Sequence, residues 1–471
     1  MKSLDLSPQE FQRLAQEVTG LAAAYLQSLD QRPSFPQTTG AETQRLFSGP
    51  LPESGMGPAA LGPMAQILDH SRTPGPRFFG YVFGCGEPVA ALGDLLASVV
   101  NQNVTAWRSA PAAVTVERTV VGWLAEGIGC RAFQGSLTGG GSSANLMGLA
   151  MAREAKAPAN QQGARPAVVY ASSEIHMSIP KAMALLGLGH ANLRHIPVDH
   201  HYRMVPAKLE AAIAEDSRAG RKGIAVVASA GTVNTGAIDP LPEIAAIARR
   251  HGLWLHVDGA YGALAALAVP EKFAGLELAD SVSLDAHKWL YQPVDCGCLL
   301  YRDPAAAQAA FAHTGDYAKS LSTDPVEGFA FFEESVELSR RFRALKLWLS
   351  LRYHGLAAFR EAIARDLAHA RRLADLVAAR PELELMAPVE LSAACFRLKP
   401  KGSEDEANRL NAAVLARVIR RGRVYISNAS LQGRFALRAC FVNHRTREAD
   451  VQAIVDEVLA AAVETGAEER A

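Results

Sequence analysis

Three short stretches, in chain order, carry residue types that could cooperate in one reaction. The first is Thr138-Gly-Gly-Gly141, followed by Ser142, Ser143, Ala144 and Asn145. Consecutive glycines let backbone N–H groups crowd one anion, and a helix opening at the serines would turn its N-terminus to a phosphate. By itself the stretch reads better as a flexible turn before a capped helix, and it is neither a Walker A loop nor GxGxxG. The second is His256-Val-Asp258-Gly-Ala260-Tyr-Gly262, an apolar run ending in a carboxylate and small residues. Ligands of open α/β sheets sit beyond the carboxyl ends of strands, although an Asp there can also just cap a local turn. The third is Ser283-Leu-Asp285-Ala-His287-Lys288-Trp289. A lysine at a strand end inside a pocket is a candidate activated amine, whereas a lone loop lysine is ordinarily a solvated charge.

The combination narrows the choice. An amine for an aldehyde, an acid for a pyridine nitrogen and a cradle for a phosphate are what pyridoxal 5′-phosphate (PLP) requires of a protein. Lys288 is expected to hold PLP as a Schiff base, with Asp258 at the ring nitrogen.

These residues need a scaffold. Between Leu137 and Arg302, β-rich runs (167–172, 192–198, 223–229, 253–259, 281–286 and 296–302) alternate with helical patterns (142–155, 206–217 and 241–252). That alternation predicts an α/β fold with a mostly parallel sheet buried on both faces. A long helix is expected from near Arg340 and another from Gly355 to Ala379, with Arg340, Arg341 and Arg343 at its charged start. The remainder reads as a small α+β unit. Residues 8–29 repeat apolar residues at helical spacing. The Pro- and Gly-rich stretch 32–63 is too long for an ordinary connection, and reads either as a linker or as an arm burying Phe35, Leu46 and Phe47 on another subunit. The expected division is 1–90, a helical arm; 91–355, the large α/β domain; and 356–471, the small C-terminal domain.

Beyond these three stretches, the sequence resembles the group II PLP-dependent decarboxylases, the family of aromatic L-amino-acid decarboxylase, from about residue 10 to about residue 460. SLDAHKWL (283–290) matches the family's lysine motif, and HVDGAYGA (256–263) resembles its HVDAAYGG. TGGGSSAN (138–145) resembles TSGGSEAN, and its departures at Gly139 and Ser143 remove no backbone N–H. IHMSIPKAMALLGLG (175–189), ASAGTVNTGAIDPL (228–241), PRFFGYV (76–82), WRSAPAAVTVE (107–117) and FVNHRT (441–446) extend the likeness, with Val114 and Thr115 as departures. The resemblance implies fold type I. Gly141, Ser142, Asp285 and His287 would lie at the cofactor, with His287 on phosphate or backbone. His176 would stack on the PLP ring, Ala260 would pack on its other face, and Ser229 would stand near the ring where Thr is usual. Tyr81, Trp107 and Thr105 would be near the substrate. Tyr317 lies 24 residues before Arg341. That spacing matches the mobile loop carrying the family's catalytic Tyr.

The activity implied is conversion of a small L-amino acid to its amine and CO2. Phe78, Phe79, Tyr81, Phe83 and Trp107 favour an aromatic side chain; Thr105 stands against it, where aromatic-specific relatives often carry a larger residue. An aldehyde-forming or carbon–carbon lyase reaction on the same fold is a second reading, and a non-catalytic PLP-binding homologue a third. The family's habit implies a homodimer with the site at the subunit boundary.

Bulk properties exclude other classes. Lys plus Arg equal Asp plus Glu at 48 each, so no strong field favours nucleic acid or an anionic membrane. No apolar run reaches the length of a membrane span, and the N-terminus lacks a signal-peptide core, so a cytoplasmic location is expected. Cys296 and Cys298 have no second close pair to complete a metal site, and read as buried strand thiols.

Overall fold

The computed structural model describes residues 4–313 and 324–468. Seven strands form the central sheet: β1 (Gln134–Thr138), β2 (Val168–Ser172), β3 (Leu193–Ile196), β4 (Gly223–Ser229), β5 (Trp254–Asp258), β6 (Ser281–Asp285) and β7 (Gly297–Tyr301). Their order is β1-β7-β6-β5-β4-β2-β3. β7 runs antiparallel to both neighbours, and the remaining pairs are parallel. Every residue of β2, β5, β6 and β7 is buried. Successive side chains of one strand feed two different cores: Val168, Tyr170 and Val226 point to one, Val169, Ala171, Ala225 and Val227 to the other. A strand buried on both faces takes apolar side chains on both, as β2 and β4 largely do, whereas the buried polar side chains of β5 and β6 (His256, Asp258, Ser281, Ser283 and Asp285) have hydrogen-bond or ion-pair partners.

The six expected strand runs each contain a strand. β1 was not expected, because Gln-Gly-Ser-Leu-Thr has no β-rich run. Its Gly135 is needed for pairing: a Cβ there would collide with the Leu299 carbonyl of β7. The helix Gly141–Lys156 crosses one face over β4 to β7, and Pro111–Gly127 packs on β1 and β7.

The helix expected from Arg340 begins instead at Ala344 and runs to Ala378, broken at Gly355 (φ 75°, ψ 154°). Arg340 is drawn out of the helix by buried partners. Its guanidinium donates to the Val104 carbonyl (2.9 Å), the Leu137 carbonyl (2.8 Å) and the Glu117 carboxylate. The C-terminal part is an antiparallel sheet of β8 (Leu383–Leu385), β9 (Ala393–Leu398), β10 (Ser427–Leu431) and β11 (Arg434–Cys440), in the order β10-β11-β9-β8. The strand expected at 423–427 starts later, because Tyr425 pairs with the 77–79 segment: Phe79 N–H donates to the Tyr425 carbonyl (2.7 Å) and Tyr425 N–H to that of Arg77 (3.0 Å). Among the described residues, no helix is long and apolar enough to cross a membrane. All six cysteines are buried thiols.

Candidate active site

The carboxyl ends of β5 and β6 and the start of the helix Gly141–Lys156 face one cavity of about 500 Å³. The glycine loop forms one wall under tight steric control. Gly140 is the helix N-cap with φ +136°, and no side chain caps the helix. The N–H groups of Gly141 and Ser142, which helix geometry leaves without intrahelical acceptors, therefore stay available to a ligand, while that of Ser143 donates to the Gly140 carbonyl (3.0 Å). A Cβ on Gly297 of β7 would lie 2.5 Å from Gly140 Cα, and one on Gly141 would lie 2.6 Å from Ala260 Cβ and 2.9 Å from Asp285 Oδ2. Glycine at these positions lets the loop press against the sheet ends.

Asp258 closes β5, and three donors converge on its carboxylate: Asn145 Nδ2 at 3.0 Å, with Ser283 Oγ and the Ala260 N–H each at 3.2 Å. Lys288 sits on the short helical turn Ala286–Trp289 that follows β6. Its Nζ lies 3.0 Å from Asp285 Oδ2, and His287 Nε2 lies 3.6 Å from the same oxygen. The other oxygen, Asp285 Oδ1, is buried without a hydrogen-bond partner. His176 lines the cavity, its Nδ1 2.9 Å from Ser178 Oγ. Burial holds the His176 and His287 rings below the ordinary histidine pKa, chiefly because a charged ring loses its hydration there.

The structure therefore brings Gly141, Ser142, His176, Asp258, Ala260, Asp285, His287, Lys288 and Tyr81 to one cavity. Tyr81 has φ +60°, and its hydroxyl lies 3.0 Å from that of Tyr425. Ser229 ends β4 beside Asp258 but does not line the cavity, nor do Thr105 and Trp107, which lie near residues 329–332. Tyr317 lies outside the described residues. Among the lining residues given no role from sequence are Asn145 and Arg438. Asn145 was legible only as the end of the glycine motif. Arg438 is a charge inside the apolar run of β11, 4% exposed, with its guanidinium on Ser427 Oγ and the Val233 carbonyl. A charge in the middle of a buried strand was the available signal.

Residues 64–399, more than half the chain, match the family described as "Pyridoxal-dependent decarboxylase conserved domain". The chain belongs to this family. Along its whole length the decarboxylase is 33% identical to an aromatic-L-amino-acid decarboxylase of Bacillus atrophaeus, covering 98% of each. It is 32% identical to a phenylacetaldehyde synthase of Petunia hybrida, covering 92% of this chain and 90% of that one. Oryza sativa TDC, solved with PLP and tryptamine, superposes with a TM-score of 0.92 at 27% identity, over 98% of this chain and all (100%) of that one. The decarboxylase thus has the fold type I architecture and is a PLP-dependent amino-acid decarboxylase.

Proposed function

We propose that the decarboxylase converts an aromatic L-amino acid to its amine and CO2, working as a homodimer. The observation that carries the site assignment is the convergence of Lys288, Asp258 and the glycine loop on one cavity. The cavity fits PLP: a side-chain-free cradle with unused helix N–H groups suits the phosphate, and a carboxylate stands across from a primary amine. Bound PLP supplies an electron sink for the pair left when the bond from Cα to the carboxylate breaks.

The chain's own groups do the rest. Lys288 Nζ is the amine that would hold the cofactor's aldehyde carbon. The Asp258 carboxylate would favour a proton on the cofactor's ring nitrogen by charge pairing. His176 and Ala260, which both line the cavity, would hold the cofactor ring between them. Arg438, a cation in the cavity wall for which no carboxylate partner is found among the described residues, suits the substrate carboxylate and would fix its pose. Tyr81 and Phe83 offer aromatic wall to the substrate side chain. Tyr317 donates the proton that Cα needs after CO2 has left. The dimer is supported by apolar side chains left exposed at the cavity rim, Met177 and Val294, and along the helix Pro88–Val100.

CO2 release across the common amino acids tests the substrate: aromatic amino acids should give the highest kcat/KM, and faster turnover of glutamate or cysteine sulfinate would overturn the aromatic assignment. The likeness to an aldehyde-forming enzyme gives a second reading, which product analysis separates. The wild type should release amine without peroxide, and Tyr317→Phe in aerated buffer should release amine slowly, with aldehyde, ammonia and hydrogen peroxide in its place, dissolved O2 taking the two electrons and water supplying the aldehyde oxygen. Wild-type amine formation by Tyr317→Phe would remove the proton-donor role.

A further inference from the structure

Behind Asp258 lies a chain of buried side chains to which the roles above assign nothing. Asn145 is 1% exposed, and its amide stands between three groups. Facing a carboxylate on which other donors already converge, it must turn its nitrogen to Asp258 Oδ2 (3.0 Å). Its carbonyl oxygen then meets His256 Nε2 at 2.9 Å, so the hydrogen of His256 is on Nε2. His256 Nδ1 is left to accept from Ser281 Oγ (2.8 Å), which in turn accepts the Trp254 indole N–H (2.9 Å). The second amide hydrogen of Asn145 goes to Ser178 Oγ (2.9 Å). The Ser178 hydroxyl then donates to His176 Nδ1 (2.9 Å), to which the Ser178 backbone N–H also points (3.2 Å). The hydrogen of His176 is therefore on Nε2.

Donors and acceptors alternate without a break from Trp254 to His176, and this order requires both rings to be neutral. Burial supplies that condition: it lowers the His256 pKa to about 4 and depresses that of His176. The His256 ring has room because position 148 on the facing helix is glycine, where a Cβ would lie 2.6 Å from the ring.

We propose that Asn145 is a positioning residue for the reaction, its single amide coupling the Asp258 carboxylate to the proton positions of His256 and His176. This rests on the reading of Asp258 and His176 as the groups facing the cofactor. Asn145→Asp keeps the shape but removes both donated hydrogens. Two carboxylates then stand about 3 Å apart and must share a proton or draw one onto His256.

The test begins with wild-type protein free of PLP and labelled with 15N-histidine, the two rings being assigned from His176→Gln and His256→Gln spectra. Both rings should be neutral, protonated on Nε2, and silent between about pH 6 and pH 8, whereas unshifted histidines titrate there. A hydrogen on Nδ1 of either ring, or a charged His256, overturns the proposal. In Asn145→Asp, the His256 signal and the pH profile of kcat/KM should both gain an ionisation, with kcat falling roughly tenfold or more and KM little changed. The exchange Asn145→Asp/Asp258→Asn keeps one amide and one carboxylate in the same space, and serves also if Asn145→Asp fails to fold. Its carboxylate then sits directly against His256 Nε2, so His256 should still titrate and turnover should not return. A wild-type pH profile in Asn145→Asp, or a silent His256 in the exchange variant, counts against Asn145. Turnover by the exchange variant would instead strike the role given to Asp258.

Discussion

At the scale of the residue, the chemistry is concentrated in groups whose surroundings fix their protonation. Lys288 and Asp285 form a close pair at the end of β6, and Lys288 is the residue expected to be joined to the cofactor. Lys288→Ala should abolish the borohydride-reducible link to PLP and nearly all turnover, and peptide mapping of the reduced wild type should find the phosphopyridoxyl group on Lys288; a label on another lysine would refute the assignment. His256 makes a prediction about stability. Its folded pKa is depressed from 6.5 to about 4 by burial, so the unfolded chain binds the extra proton first as the solution is acidified. The stabilisation is complete above pH 6.5 and is lost as the pH falls toward 4, a loss of roughly 3 kcal/mol. His256→Gln should flatten the dependence of the urea midpoint on pH across that window, and an unchanged slope would assign the acid sensitivity elsewhere. Lys288, Asp258 and the glycines were legible in the sequence because each lies in a contiguous motif at a strand end. Arg438 and the hydrogen-bonding role of Asn145 were not, because each reaches a partner far away in the chain, Asp258 for Asn145 and Val233 for Arg438.

At the scale of the element, the site depends on how closely β1 and the glycine loop are pressed to their neighbours. Alternating β-rich and helical runs made the parallel strands readable, most plainly in β2 and β4, whose runs are nearly all apolar. β1 stayed hidden because what it needs is the absence of a side chain at Gly135. Gly297 has the same character: its backbone is β-strand, but any Cβ would strike Gly140 at 2.5 Å. Gly297→Ala should push the loop off the sheet and weaken PLP binding by roughly tenfold or more, about 1.4 kcal/mol, with secondary structure retained. Equilibrium titration of the apoenzyme with PLP measures this, and unchanged affinity would show that the loop can move without cost. The buried Arg340–Glu117 pair holds the other end of β1, since Glu117 also accepts the Leu137 N–H at 2.9 Å. Arg340→Met leaves a buried carboxylate without its cation and should cost ~3–5 kcal/mol. Replacing both partners, Glu117→Leu/Arg340→Met, should recover much of that loss in urea denaturation. Arg340 reads from sequence as the charged start of a helix, because nothing local reveals that its partner is Glu117.

At the scale of the whole molecule, one face is unfinished in a single chain. The helix Pro88–Val100 buries Ala90, Gly93 and Ala97 against the helix that starts at Ala344. Its opposite side presents Leu92, Leu95, Leu96, Val99 and Val100, all at least 43% exposed. The spacing is i, i+3, i+4, i+7, i+8, the stripe by which an amphipathic helix meets a core. Among the described residues nothing covers this stripe, and the N-terminal helix Pro8–Ser28 buries no side chain at all. Full burial of a Leu or Val side chain is worth ~1.5–3 kcal/mol, so a half-exposed stripe of five leaves several kcal/mol to be gained by association. In a twofold dimer each stripe residue counts twice, because the same patch is used by both copies. Leu96→Glu would therefore bury two carboxylates at one interface, at a cost that no nearby basic residue on that helix offsets, since its sequence contains no Lys or Arg. The wild type should sediment as a dimer down to micromolar concentration or below, and Leu96→Glu should shift it to monomer with secondary structure intact. If the cavity is completed at the subunit boundary, activity should fall in step with the monomer fraction and recover as protein concentration is raised. A wild type that is monomeric and fully active would remove both the dimer and the shared site.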